Sequence, residues 1–391
     1  MNMKSLKNLN FEKIQNVGIR VDFNVPIDKH FKITDKTRLD RAKDTINFIK
    51  NKQCNILLLS HFGRPKENFD DKYSFTKLID QFQEILKLKL NFISYENFLK
   101  NGLDQFNYNR PTTTLLENIR FFEGEIKNDL SFSKSITDNL DLYVNEAFSA
   151  SHRLHSSVNQ MAKNILSTPG FNFEKEINAI NDIKKSQKKK LAIIGGSKIS
   201  TKINTLLSLT TSCSDIFIGG AMANNFLKYN KFNVSSSLIE EGAERMIEMI
   251  YSSAKQTGCE IHLPVDVMLD SDQSVLVNEL DKNTEFKILD IADSSHIVLE
   301  NLVKKSDIIL WNGPMGMIED HKFSKGSINL SHLLAKAQAD VVIGGGDTIL
   351  AINMAKEKFE DFYFVSTAGG AFLEALEDKE LLGIEALKAD L

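Results

Sequence analysis

The sequence predicts an α/β protein built on mainly parallel sheets, and three observations carry that prediction. Short β-like runs alternate with helix-period segments from one end of the 391 residues to the other. Four glycine clusters directly follow apolar runs: Gly195-Gly196, Gly219-Gly220, Gly344-Gly345-Gly346 and Gly369-Gly370. A parallel sheet offers backbone amides to phosphate at such places. Seven of the eight arginines (Arg20, Arg38, Arg41, Arg64, Arg110, Arg120 and Arg153) fall in the first 153 residues, although lysine is the chain's ordinary cation. A guanidinium fork holds a carboxylate or phosphate through two parallel hydrogen bonds, which an ammonium cannot reproduce. The first half therefore reads as a grip for a small anion and the second as a cradle for phosphate, expected to face each other across a crevice.

A length of 391 residues suggests two or three domains, and 42% hydrophobic with 26% charged residues supplies ordinary globular cores. The formal net charge of -4 argues against a general nucleic-acid binder, so any basic site must be local. Cys54, Cys213 and Cys259 form no CxxC pair, which supports neither a disulfide framework nor a structural zinc site. The start, MNMKSLKNLNFEK, lacks the apolar core of a signal peptide. No stretch approaches the roughly 18 apolar residues of a membrane span, so the expectation is a soluble cytoplasmic protein without membrane association.

In chain order, strands are predicted at Val17 to Val21, Asn55 to Ser60, Thr113 to Leu116 and Leu142 to Val144. Between the first two, Thr37 to Lys50 places Leu39, Ala42, Ile46 and Ile49 on one helical stripe, with Arg38 at its start. Residues 172 to 190 carry Phe173, Ile177, Ile180 and Ile183 at helical spacing and then a lysine-rich exit, which reads as a connecting helix. The run Lys184 to Lys190 could touch nucleic acid, but an isolated charge run is more often a solvated surface. Further strands are predicted at Leu191 to Ile194, Ile216 to Ile218, Ile261 to Val265, Ile308 to Trp311, Val341 to Ile343 and Tyr363 to Ser366.

The strand ends carry the chemistry. Asp22 and Asn24 close the first strand on one side of an extended chain, where they could hold hydroxyls, orient arginines or simply cap a turn. His61-Phe62-Gly63-Arg64, Glu117-Asn118-Ile119-Arg120 and Asn145-Glu146 with Ser151-His152-Arg153 follow the next three strands. Four successive strand ends thus deliver Asp22, Asn24, His61, Arg64, Arg120 and Arg153 toward one crevice. In the second half, Gly195-Gly196-Ser197-Lys198 and Lys202 open a helix, and Trp311-Asn312-Gly313-Pro314-Met315-Gly316 precedes Glu319. Gly344-Gly345-Gly346-Asp347-Thr348 places three glycines and a carboxylate at a helix start, which suits phosphate and a hydrated magnesium ion, or a cap. Neither GxxxxGK[ST] nor GxGxxG occurs, which disfavours a Walker A NTPase and a nicotinamide dehydrogenase.

Ten motifs in order (RVDFNVP, SHFGRPK, LLENIRFFEGE, YVNEAFSASHRLHSS, AIIGGSKISTKI, IGGAMANNFLK, LPVDV, ILWNGPMGMIE, IGGGDT and STAGGAFLE) make the chain resemble the phosphoglycerate kinase family over nearly its whole length. The resemblance implies two Rossmann-like three-layer domains: residues 1–171 for 3-phosphoglycerate, and 191–375 for the magnesium nucleotide. An interdomain helix at 172–190 would join them, and 376–391 would return to the first domain. It implies acid contacts from Asp22, Asn24, Arg38, His61, Arg64, Arg120 and Arg153. It also implies nucleotide contacts from Lys198, Lys202, Asn312, Glu319, Gly344, Gly345, Gly346, Asp347 and Thr348, with Glu319 on the ribose and Asp347 on Mg2+. Arg38, Lys198, Gly369 and Gly370 would surround the phosphoryl group passing between 1,3-bisphosphoglycerate and ADP. Small-molecule substrates, a monomeric state and no nucleic-acid partner are further expectations. Ala368 and Ala221 stand where the family commonly has glycine, and prolines often found before AIIGG and near Leu381-Leu382-Gly383 are missing. A non-catalytic nucleotide sensor with the same fold is the rival reading, against which intact Arg38, Lys198 and Asp347 speak.

Overall fold

A computed structural model describes residues 3–66, 69–104, 106, 111–280, 284–377 and 381–388, so Arg110 and parts of the 376–391 segment lie outside the described residues. The chain divides into two compact units, residues 1–178 with 380–391, and residues 179–379. The boundary falls inside the helix Phe171–Lys185. That helix stops five residues short of the predicted end, because Lys190 opens the next strand.

The first unit is built on β1 (Asn16–Arg20), β2 (Asn55–Leu59), β3 (Asn91–Ile93), β4 (Thr113–Leu116), β5 (Leu142–Asn145) and β6 (Ser167–Pro169), in the order β3-β4-β2-β1-β5-β6. All the pairings are parallel. The four predicted strands are present. β3 and β6 are additional to the sequence expectation, because three-residue strands are too short to show a period. The predicted stripe Leu39, Ala42, Ile46 and Ile49 of the helix Thr37–Asn51 packs on Val17, Ile19, Ile56 and Leu58. Asp35 Oδ1 accepts the Thr37 N–H at 2.8 Å and fixes the start of that helix, which places Arg38 in its first turn. In the same unit the helix Leu382–Ala386 is held by the Gly383 N–H, which donates to Ser151 O at 2.9 Å.

The second unit holds β7 (Lys190–Ile194), β8 (Asp215–Ile218), β9 (Glu260–His262), β10 (Asp266–Leu269), β11 (Ser274–Leu276), β12 (Ile288–Ile291), β13 (Ile308–Asn312), β14 (Asp340–Gly344) and β15 (Phe364–Ser366). Its parallel sheet runs β15-β14-β13-β7-β8-β9, and β11-β10-β12 form a separate antiparallel sheet. The predicted strand Ile261 to Val265 shrinks to β9, since Pro264 has no amide to donate and restricts Leu263 before it. The antiparallel sheet is absent from the sequence expectation. Its strands are three or four residues long and have their own small core, in which Leu227, Val267, Leu269, Val277 and Ile288 meet.

The main core of this unit joins Leu191, Ile193, Ile309, Trp311, Val341 and Ile343 to Leu330 and Leu334 of the helix Lys325–Ala335 and to Ile349 and Ile352 of the helix Gly346–Ala355. Ile309 is completely buried near the amino end of β13. Ile309→Ala should therefore cost about 2–5 kcal/mol of stability. Urea unfolding of the variant checks this, and a cost below about 1 kcal/mol would show that the strand pair tolerates the cavity.

Candidate functional site

In the first unit, register decides which side chains meet. Arg20 pairs with Leu59 of β2 and with Asn145 of β5, while Leu58 pairs with Leu115 of β4. The segments after these four strands therefore leave the sheet at one edge, the position from which open α/β sheets bind ligands. Asp22, part-buried after β1, accepts Arg38 Nη1 at 3.0 and 2.8 Å and the Ser149 hydroxyl at 2.5 Å. The carboxylate thus aims a guanidinium. Asn24 Oδ1 accepts the Gly63 N–H at 2.9 Å, and Gly63 O accepts Arg120 Nη1 at 2.7 Å. Gly63 has φ +61°, and a Cβ there would lie 2.3 Å from the Tyr73 ring, so only glycine fits this link.

Arg20, 1% exposed, belongs to the arginine skew but carries no role in the sequence expectation. It donates to Ser157 Oγ at 2.8 Å, to Val21 O at 2.6 Å and to His61 Nδ1 at 3.0 Å. A guanidinium can only donate, so Nδ1 is the acceptor and the proton of the neutral ring sits on Nε2. Burial, and then the charges of Arg20, Arg120, Arg38 and Arg153, hold His61 well below its usual pKa. Burial with Arg153 and Arg120 lowers His152 as well, and burial with Arg120, Arg20 and Arg153 brings His155 down to about 4. Arg120 itself drops to about 10, through burial and then the neighbouring Arg20 and Arg153, with Arg64 contributing less. His61 and Arg120 therefore both lie in the field of Arg20 and Arg153, with Arg38 adding to the field at His61, an arrangement of positive charge suited to a small anion. Arg64 stands at its exposed fringe. Arg41 is spent elsewhere, 3.6 Å from buried Glu176.

In the second unit, Asn312 of β13 pairs with Ile194 of β7 and with Gly344 of β14, and Gly344 pairs with Ser366 of β15. The glycine loops consequently leave one edge. Strand order reverses between β7 and β13, which makes their carboxyl ends the expected crevice. There the backbones touch: the Gly195 N–H donates to Asn312 O at 2.9 Å, and a Cβ on Gly195 would lie 2.0 Å from Pro314 O. Lys202 Nζ donates to Gly195 O and to Asn312 Oδ1, both at 2.7 Å. Asn312 Nδ2 donates to Gly344 O at 2.5 Å, and Thr348 Oγ1 joins the Gly313 N–H at 2.7 Å to Gly344 O at 3.0 Å. Lys202, Asn312 and Thr348 thus stitch the loops after β7, β13 and β14 together. Burial brings Lys202 down to about 8, against the opposing pull of Asp347.

Above this stitching lies a cavity of about 460 Å³ lined by Gly196, Glu319 and Asp347, with Leu238, Val267 and Met315 in its apolar wall. Lys198, Gly344, Gly345, Gly346, Gly369 and Gly370 do not line it. Lys198 and Gly346 are exposed, while Gly344 and Gly345 are buried beneath. Gly369 and Gly370 open the helix Gly369–Leu376, and Ala368 before them has φ -88°. Alanine therefore adopts that position without strain, and the departure from a glycine triplet has no backbone cost. The wall from the antiparallel sheet, Val267 and Ile288 to Ile291, lies outside the sequence expectation because β10 and β12 carry no glycine signal. Among the described residues, the one group spaced to hold a metal by itself is Asp215, Glu260 and His262. It lies at β8 and β9, where Lys189 Nζ already sits 3.1 Å from Asp215. Asp347, a single exposed carboxylate, suits an ion whose other ligands are phosphate and water.

The phosphoglycerate kinase family model matches residues 6–379. The chain belongs to the phosphoglycerate kinase family. It is 37% identical to a phosphoglycerate kinase of Wolbachia sp. subsp. Drosophila simulans (strain wRi) over 100% of both chains, and 38% identical to one from a Nitratiruptor species over 99% of both. Among solved structures, phosphoglycerate kinase from Coxiella burnetii matches with a TM-score of 0.86 at 31% identity, covering 99% of each chain. The enzyme from Pyrococcus horikoshii OT3 shares the fold, with a TM-score of 0.83 at 24% identity and 98% coverage of each.

The lowered histidines give a pH expectation. His155 titrates near 6.5 when unfolded and near 4 when folded. Between those values the unfolded chain binds a proton that the folded chain refuses, so acidification from pH 6.5 to 4 removes stability. His155→Gln should reduce the proton uptake on unfolding in this window by up to about one proton. The slope of unfolding free energy against pH measures it, and equal slopes in the two proteins would refute the half-buried neutral ring.

Proposed function

We propose that the arginine cluster of the first unit holds 3-phosphoglycerate and that the cavity of the second holds the magnesium nucleotide. As in its family, the activity is reversible phosphoryl transfer from 1,3-bisphosphoglycerate to ADP, which gives 3-phosphoglycerate and ATP. One observation carries the acid assignment: Arg20, Arg120 and Arg153 crowd closely enough to depress Arg120, beside a histidine kept neutral. Arg38, aimed by Asp22, adds a directed guanidinium, and His61 keeps an Nε2–H for hydrogen bonding. Arg64 and Asn24 complete the grip, Asn24 through its hold on Gly63.

For the nucleotide, Glu319 serves the ribose and Asp347 the Mg2+, with Lys198 and the amides of Gly344, Gly345, Gly346, Gly369 and Gly370 on phosphate. Lys202, Asn312 and Thr348 contribute by holding the loops that present those amides, a role supported by their bonds to Gly195, Gly344 and Gly313. A β-phosphate oxygen of ADP is already ionised at neutral pH and needs no protein base. The chemistry asks for alignment and charge stabilisation. Histidines held neutral by a cationic field suit that role better than proton transfer. Since acid and nucleotide are assigned to separate units, transfer requires the two ligands to be brought together and shielded from water.

We further propose a monomer that acts on small molecules and not on nucleic acid. Against nucleic-acid binding, the lysines after the helix Phe171–Lys185 are engaged within the chain: Lys188 pairs with Asp340, Lys189 with Asp215, and Lys190 Nζ donates to Ser186 O.

The deciding experiment is magnesium-dependent formation of acyl phosphate from ATP and 3-phosphoglycerate, trapped chemically. Arg38→Ala should lose on the order of 3 kcal/mol or more of transition-state stabilisation, roughly 100-fold in kcat/KM, by analogy with removal of one preorganised donor. Near-normal turnover of that variant would remove Arg38 from the reaction. Lys198→Ala should mainly lower kcat, and Glu319→Ala should mainly raise the nucleotide KM. The reverse pattern in steady-state kinetics would exchange their roles.

A further inference from the structure

The wall of the nucleotide cavity contains a carboxyl group, Asp290, that none of the roles above uses. It is 3% exposed in β12 and opposite Met268 of β10. Oδ1 accepts the N–H of Ile291 at 2.9 Å, and Oδ2 accepts the N–H of Gly326 at 2.7 Å in the first turn of the helix Lys325–Ala335. Two glycines from different segments make room for the group. A Cβ on Gly316, in the loop after β13, would come within 2.3 Å of Oδ1, and one on Gly326 within 2.2 Å. The same loop is pinned on either side of Gly316: the Met315 N–H donates to Ser327 Oγ at 2.8 Å, and the Met317 N–H to Leu289 O at 2.8 Å. Three residues beyond Gly316 the loop reaches Glu319, which lines the cavity with Asp290.

We propose that Asp290 is a positioning residue for nucleotide binding: its carboxyl joins β12, the helix Lys325–Ala335 and the Gly316 loop, and so sets where Glu319 meets the ribose. The inference rests on the assignment of this cavity to the nucleotide. A carboxylate suits the junction because both oxygens accept, whereas an amide of the same size would turn one acceptor into a donor aimed at an N–H. Keeping a carboxyl there is expensive, since burial raises it to about 7 against the lowering by the Gly326 and Ile291 amides and by Lys325. An isolated core position gains nothing from such a group. A junction that fixes a loop does.

Asp290→Asn should raise the KM for ADP and for ATP about 5- to 20-fold while the KM for 3-phosphoglycerate stays within twofold and kcat at saturation within threefold. Ile309→Ala, destabilised in the core, controls for stability and should leave both KM values in place. Gly316→Ala, which keeps the carboxyl but crowds the loop away from it, should reproduce the selective rise and serves if Asp290→Asn does not fold. A nucleotide KM unchanged in whichever of the two variants folds, or a rise shared equally by both substrates, overturns the inference. Glu319→Ala is measured alongside: if it leaves the nucleotide KM unchanged, the nucleotide assignment of the cavity falls, and this inference with it. If it raises that KM while Asp290→Asn does not, only the positioning role is lost.

Discussion

Matched parallel register is the constraint from which both half-sites follow. Parallel strands that pair without slippage end together, so every connection leaving a carboxyl end begins at the same edge. In the first unit this alignment of Arg20 with Leu59 and Asn145 brings residues more than a hundred positions apart into one electrostatic field. In the second it sets Asn312 between Ile194 and Gly344 and lets one amide side chain bridge two loops. A slip of one residue in either sheet would turn those side chains to the opposite face and dissolve the arrangement.

The two proposed half-sites differ in how they would meet an anion. The first concentrates formal charge, and the cost is visible in the lowering of Arg120 by burial and by Arg20 and Arg153. Arg20 is the most deeply committed member: three bonds hold it, one of them to His61, so it forces the imidazole into a single neutral tautomer. The second half-site uses backbone amides and glycine, and its charged groups are few. Lys202, half-buried and doubly bonded to protein oxygens, holds the geometry of the loops. Charge suits recognition of a small, highly charged acid, whereas amides suit a phosphate chain that must be approached closely by backbone.

Much of this was legible in the sequence, for identifiable reasons. The helix Thr37–Asn51 announces itself through a stripe of four apolar residues, and the strands that end in glycine or arginine motifs are bounded by those motifs. The short strands β3 and β6 and the antiparallel sheet were not legible, because three or four residues fit either period and their pairing partners are set by tertiary packing. At the site, residue types pointed to Arg38, Arg120 and Arg153 but could not distinguish a side chain that reaches a ligand from one that holds a loop. Asn312 and Thr348, expected as nucleotide contacts, have side chains that bond to the backbone of neighbouring loops. Nothing in the spacing of Arg20 and Asn118 shows that one fixes a histidine and the other ties Phe62, Tyr73 and Arg120 together.

That distinction bears on how such a site keeps its shape without ligand. Phosphoryl transfer depends on donors already aimed at the reacting group, because reorientation during the reaction would add to the barrier. Flexible arginine and lysine side chains are poor donors in that respect unless something fixes them. Asp22 fixes Arg38, Gly63 O fixes Arg120, and the Ser149 hydroxyl fixes Asp22 in turn. Each directing group is itself placed by a strand end or by a glycine no other residue could replace, as at Gly63. Precision therefore passes from register to loop, from loop to directing carboxylate or carbonyl, and only then to the cation. A change at the second or third of these steps should misplace the cation without altering its charge.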